Sequence, residues 1–146
     1  MKKLIFTFLL SFSGLFFASA QEWYYNLEQA KSDALNGDKL IVMVFQGSDW
    51  CAPCIKLDKE IWSNPEFRTY WKEHYALVKV DFPRKKQNKP TPEQEAYNKK
   101  LAEEFNKSGG FPMVVILDKT GKVLGRTGYK GVSVSEYIEH INSFAK

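Results

Sequence analysis

Two hydrophobic patterns alternate along this chain. Short, almost wholly apolar runs predict strands, and longer amphipathic stretches predict helices. Residues 40–45, Leu-Ile-Val-Met-Val-Phe, carry no polar side chain. Such a run predicts a central strand covered on both faces. Residues 76–82 start the same way and then alternate, which predicts a second strand. A third covers 113–117. Asp118-Lys119-Thr120-Gly121 reads as a hairpin turn, after which 122–128 pairs back. A fainter strand signal lies at Trp23-Tyr24-Tyr25.

The helical stretches come with start and stop signals. Residues 26–35 place Leu27, Ala30, Ala34 and Leu35 on one stripe, and Asn36-Gly37 is a stop. A helix should begin at Cys51 and run to Asp58 or Glu60. Asn64-Pro65-Glu66 then reads as a new start, followed by an aromatic stripe of Phe67, Tyr70, Trp71 and Tyr75 that belongs to the core. Residues 83–90 are basic, polar and proline-bounded, and read as a solvated loop or as a contact for an acidic partner. Thr91-Pro92-Glu93-Gln94 combines a cap, a proline and a capping-box glutamine. It opens a helix with Tyr97, Leu101 and Phe105 on one face and a Glu95–Lys99 pair on another. Ser108-Gly109-Gly110 breaks the chain before Phe111-Pro112. Ser133-Val134-Ser135-Glu136 is a second capping box, opening a helix with Val134, Tyr137, Ile138, Ile141 and Phe144 inward. Helix, strand, helices, strand, helix, hairpin and helix make an α/β domain with a mixed sheet covered on both faces. There are no internal repeats and no low-complexity segment.

The first twenty residues stand apart. Lys2 and Lys3 precede an apolar region broken only by Ser, Thr and Gly, and Ala18-Ser19-Ala20 supplies small residues for cleavage. Residues 1–20 therefore read as a secretory signal peptide, cut before Gln21, rather than as a membrane anchor. Residues 21–146 suit one domain. The whole chain carries a net charge of +4, and without Lys2 and Lys3 it falls to +2, with 19 Lys and Arg against 17 Asp and Glu. That is too little to imply nucleic acid or an anionic membrane surface.

The candidate chemistry sits in Trp50-Cys51-Ala52-Pro53-Cys54, which holds the only two cysteines. After export, two thiols meet an oxidising compartment. A bond between them closes a very short loop and makes a poor staple, but short, accessible disulfides are the labile ones. At a helix start Cys51 meets unpaired N–H groups and the positive end of the helix dipole, which favour thiolate. Cys54 lies at i+3 on the same side, and Pro53 fits the first turn. Zinc needs two more ligands, and His74 and His140 do not have ligand spacing. Haem attachment needs a histidine where Ile55 stands. Copper transfer lacks flanking Met or His. No metal or cofactor is expected.

Taken with Gly110-Phe111-Pro112 and the terminal hairpin and helix, the motif resembles the thioredoxin superfamily over residues 21–146. Phe45-Gln46-Gly47-Ser48-Asp49-Trp50 and the long polar loop are similar to exported thioredoxin-like proteins such as the C-terminal domain of DsbD. The resemblance implies a thioredoxin fold, an exposed nucleophilic Cys51, a more buried resolving Cys54, and a cis Pro112 lying against the disulfide. It implies that Trp50 and Phe111 flank a substrate groove, with plain packing as the other reading of Phe111. Trp62 and Tyr129 read as packing. The family's buried strand aspartate is absent, because Val44 or Phe45 stands there. Lys79 matches the lysine that accompanies it, and water, Asp49 or Glu60 is left to take the proton from Cys54. The uncharged Ala52-Pro53 favours a reducing protein over a strong oxidant.

The resulting expectation is a monomeric periplasmic thiol–disulfide oxidoreductase. It would reduce protein disulfides and be recharged by a membrane or periplasmic thiol donor. The other readings are a redox-sensitive peptide-binding module without turnover, or a dedicated electron donor to one client such as apocytochrome c or a peroxidase.

Overall fold

The apolar run at 40–45 forms the central strand of the sheet. The structure, a computed structural model, describes residues 23–146. The expected signal peptide, residues 1–20, and its cleavage before Gln21 lie outside the described residues. Helix α1 (Leu27–Gly37) leads into β1 (Leu40–Gln46). Next come α2 (Ala52–Leu57), a π-helical turn (Asp58–Trp62), α3 (Pro65–His74) and β2 (Tyr75–Asp81). A short 3-10 turn (Lys86–Asn88) interrupts the following loop, and α4 (Pro92–Phe105), β3 (Met113–Leu117), β4 (Val123–Thr127) and α5 (Val134–Ser143) complete the chain.

The sheet order is β2-β1-β3-β4. β1 pairs with β2 in parallel and with β3 antiparallel, and β3 pairs antiparallel with β4. The parallel pair needs a long crossover, which α2, the π turn and α3 provide. The faint strand at 23–25 is a single parallel bridge from Tyr24 to Val78.

Side chains in a strand point alternately to opposite faces, so one sheet feeds two cores. Val42, Val44, Leu77, Val114 and Ile116 face Leu57, Ile61, Phe67, Trp71, Tyr137 and Ile141 of the α2, α3 and α5 side. Ile41, Met43, Phe45, Val78, Val80, Val115 and Leu117 face Leu27, Ala30, Ala34, Leu101 and Phe105 of α1 and α4. Trp62 lies in the first core, edge-on to Trp23, Phe67 and Tyr137. Its Nε1–H has no hydrogen-bond acceptor among the described residues.

Several local expectations shift. Leu35 is exposed, because α1 meets the sheet only along Leu27, Ala30 and Ala34. The left-handed residue that ends α1 is Asp38, one place beyond Gly37, with φ 51°. Tyr75 belongs to β2 rather than to α3, since it pairs with Leu40. Thr91 caps α4, but the Gln94 amide turns away to Tyr25 O and Asn98 Oδ1 instead of closing a capping box. Ser133 and Glu136 do close theirs.

Gly125 in β4 lies under the Phe144 ring, and a methyl group there would collide with it. Gly125→Ala is expected to destabilise the fold by about 1–3 kcal/mol, because the ring must move off well-packed neighbours. A urea titration would read this as a lower midpoint, with part of the loss recovered in Gly125→Ala/Phe144→Ala.

Candidate active site

The loop after β1 and the loop after β2 leave the sheet at the same end, because the two strands run parallel in register. Polar groups lace the loops together. Asp81, the last residue of β2, accepts hydrogen bonds from Ser48 N at 2.9 Å and Ser48 Oγ at 2.6 Å. Asp49 accepts from Arg84 N and Lys85 N, both at 2.9 Å, and from Asn88 Nδ2 at 3.0 Å. Trp50 Nε1 donates to Phe82 O at 2.8 Å, and Phe82 N donates to Gln46 O at 2.9 Å. Gly47 has no side chain because the Trp50 indole fills the space a Cβ would take.

This lacing presents Cys51 at the start of α2. Cys51 is the N-cap, in extended backbone, and donates its N–H to Gly47 O at 2.9 Å. Ala52 and Pro53 form the exposed first turn. Cys51 and Cys54 are joined in a disulfide, with Cα atoms 5.2 Å apart. The expected contrast in exposure is small. Cys51 is 5% exposed and Cys54 2%, so the order is as expected but Cys51 is nearly covered. The helix start supplies first-turn N–H groups without helical partners, which favour a thiolate at Cys51 once the bond is opened.

Three aromatic rings pack together around Trp50, the residue before Cys51. Phe111 meets Trp50 edge-on at 5.9 Å and stacks on Phe82 at 5.5 Å. The Phe111–Pro112 peptide bond is cis. The Arg84 guanidinium lies 3.8 Å above the Trp50 ring. Phe111 is thus half-buried and packed, while still bordering the motif.

The three candidates for handling the Cys54 proton have different surroundings. Asp49 is held by the loop, and the Arg84 N–H, the Asn88 amide and the Lys85 N–H keep its carboxyl below the usual range. Glu60 accepts the Tyr129 hydroxyl at 2.7 Å. Lys79 lies beside Cys54. Together with Gln46, Ser48, Ile55 and Asp58 they line a cavity of about 130 Å³. The Lys79 ammonium sits 4.7 Å above the Trp23 ring. In the strand, Lys79 pairs with Val44, and Val44 faces α2 while Phe45 faces the opposite core. Of the two, Val44 is therefore the residue on the α2 side, and it is apolar.

Asp58 was missed by the sequence reading. It follows Cys54 by four residues, a spacing that puts both on one helical face, and that spacing was the available signal. Its carboxylate also accepts Ser63 Oγ at 3.2 Å.

A mixed sheet with helices on both faces, a Cys-x-x-Cys disulfide at a helix start and a cis proline before β3 define the thioredoxin class of thiol–disulfide oxidoreductases. Residues 27–144 match the model of the thioredoxin-like domain family, and the chain belongs to that family. It is 37% identical over 120 residues to the disulfide bond reductase DsbH of Chlamydia pneumoniae, covering 82% of this chain and 68% of that protein. A solved structure of a DsbH oxidoreductase superposes with a TM-score of 0.75 at 34% identity, covering 84% of this chain and 82% of that one. A thioredoxin from Thermus thermophilus shares the fold, with a TM-score of 0.60 at 17% identity and coverage of 84% and 85%. The chain is a thiol–disulfide oxidoreductase with a thioredoxin fold. No helix among the described residues is long and apolar enough to cross a membrane.

Asp49→Ala is expected to free the Arg84 and Lys85 amides, so their hydrogen exchange should quicken while that of β1 holds. In the unaltered protein the carboxylate's hold is present above the ordinary aspartate pKa. It is lost as pH falls through the lowered native value. NMR shifts of the Arg84 and Lys85 amides should therefore titrate below the usual aspartate range.

Proposed function

We propose that this chain is an exported reductase that opens disulfide bonds in other proteins, using Cys51 as nucleophile and Cys54 as resolving thiol. The observation that carries the reading is the Cys51–Cys54 disulfide at the start of α2, with an uncharged Ala52-Pro53 between its ends. An N-cap side chain is placed to accept from the N–H of the second or third helical residue. Pro53 has no N–H, so the Cys54 amide is the donor left for a Cys51 thiolate.

The reduced enzyme begins with both thiols. The Cys51 thiolate attacks one sulfur of the client disulfide, forming a mixed disulfide and expelling a client thiolate. Cys54 loses its proton and attacks Cys51 Sγ, expelling the second client thiolate. Two electrons have passed to the client, and Cys51–Cys54 is oxidised. An external dithiol reverses these steps and resets the enzyme.

Proton loss from Cys54 is the step for which the strand offers no acid. We assign it to the polar cavity, with Asp58 as acceptor and Lys79 as the neighbouring charge. A cavity of about 130 Å³ lined by polar groups has room for water, which can bridge what the side chains do not reach directly. The DsbH similarity supports the reducing direction. The apolar start of the sequence supports export.

Cys51→Ser should abolish turnover, whereas Cys54→Ser should accumulate mixed disulfides with clients, seen as adducts on non-reducing gels. Thiol-trapping in the native cells should find the pair mostly reduced, and a mostly oxidised pair would reverse the assigned direction. Asp58→Asn should slow resolution of the mixed disulfide about tenfold or more at neutral pH. The deficit should shrink at alkaline pH, where hydroxide removes the proton. An unchanged pH profile would discard Asp58.

A further inference from the structure

The segment 82–92, Phe-Pro-Arg-Lys-Lys-Gln-Asn-Lys-Pro-Thr-Pro, holds four cations and no acid. Arg84, Lys85, Lys86 and Lys89 are all exposed, and among the described residues none of them forms a salt bridge. Glu93, just past the segment, is an exposed acid, but the three acids packed against the loop are already engaged. Asp49 takes the loop's own amides, Asp81 takes Ser48, and Glu95 is bridged by Lys99 at 3.1 Å. Lys89 adds only a longer-range attraction to Glu95. The loop thus presents net positive charge on a backbone that Asp49 holds in place.

Its position gives that charge a use. Arg84 stacks on Trp50, the residue next to Cys51. A guanidinium stacked on a ring keeps its N–H donors in its own plane, free at the edge to grip a carboxylate in a two-pronged bond. Beside it lies a cavity of about 220 Å³ bordered by Trp50, Phe82, Pro83, Arg84, Lys89 and Pro90, and also by Asp81 and Glu95, whose carboxylates are taken up by Ser48 and Lys99. An aromatic wall, one anchored arginine and a lysine at the rim suit a short acidic peptide segment better than an apolar one.

We propose that the 84–89 loop is a docking site for acidic residues flanking a client's disulfide, so that the enzyme prefers acidic polypeptides. This rests on the reductase reading above and names the client chemistry for the same site. The loop steers the client's acidic flank toward Trp50 and brings its disulfide to Cys51. Because the contact is between exposed charges, it raises the encounter rate and weakens with salt.

The test uses two disulfide-bridged peptides of equal length, one flanked by Asp and Glu and one by Lys and Arg. Each is mixed with the reduced full-length protein in a stopped-flow instrument. At low salt the acidic peptide is expected to oxidise the protein about tenfold or more faster than the basic one. In about 1 M salt, where charges are screened beyond about 3 Å, the ratio should approach one. In Lys85→Ser/Lys86→Ser/Lys89→Ser the low-salt ratio should fall several-fold. Equal rates for both peptides, or a preference that survives the triple substitution, would overturn the proposal. So would loop-dependent sedimentation with anionic phospholipid vesicles in the absence of any peptide preference, which would make the loop a membrane contact. Failure of the wild type to react with neutral hydroxyethyl disulfide would instead refute the reductase reading. Fluorescence anisotropy of a labelled acidic peptide lacking cysteine then decides the loop by itself: tighter binding to the wild type than to the triple variant sustains it, and equal binding overturns it.

Discussion

The parallel pairing of β1 with β2 is the constraint on which the rest of the site depends. It brings two loops far apart in sequence to one end of the sheet. Ser48, Asp49 and Trp50 then reach Asp81, Arg84, Lys85 and Phe82 across roughly a third of a hundred residues. Backbone donors and acceptors in these loops have no strand partner, so side chains must satisfy them. Asp49 and Asp81 do this, and in doing so they fix where Cys51 begins its helix. Gly47 completes the arrangement by leaving room for the Trp50 ring.

Burial and charge divide the site into two sides. On one side Cys54 meets a small polar cavity that opens at Ser48 and Ile55, both exposed. Val44 offers no charge there, so the polar groups come from the helix and the neighbouring strand, as Asp58 and Lys79. On the other side Trp50, Phe111 and Phe82 form a rigid aromatic floor. Aromatic rings give a flat surface with little rotamer freedom to lose.

Much of the fold was legible because its signals are local. The run at 40–45 could not be a half-exposed strand, and Asn64-Pro65 and Ser133 to Glu136 announced their helices through capping chemistry. The misreadings fall where local and distant preferences compete. Tyr75 continues the aromatic spacing of α3, yet ladder pairing with Leu40 draws it into β2. Gln94 has the capping-box spacing, but Tyr25 and Asn98, available only after folding, take its amide. Leu35 fits the stripe of α1 and still lies beyond the edge of the sheet.

The sequence by itself determined the two cysteines, their spacing at a helix start, the Phe111-Pro112 pair before β3, and the lack of an acid in the strand before the cysteines. These are matters of residue type and short-range order. Tertiary structure alone decided which neighbours those groups meet. It engaged Asp49 with the loop and Glu60 with Tyr129, and it put Asp58 and Lys79 around Cys54. It also anchored the basic loop over Trp50. The reason is physical: a carboxylate's role is set by the donors within about 3 Å of it, and those donors arrive from strands and loops that only folding brings together.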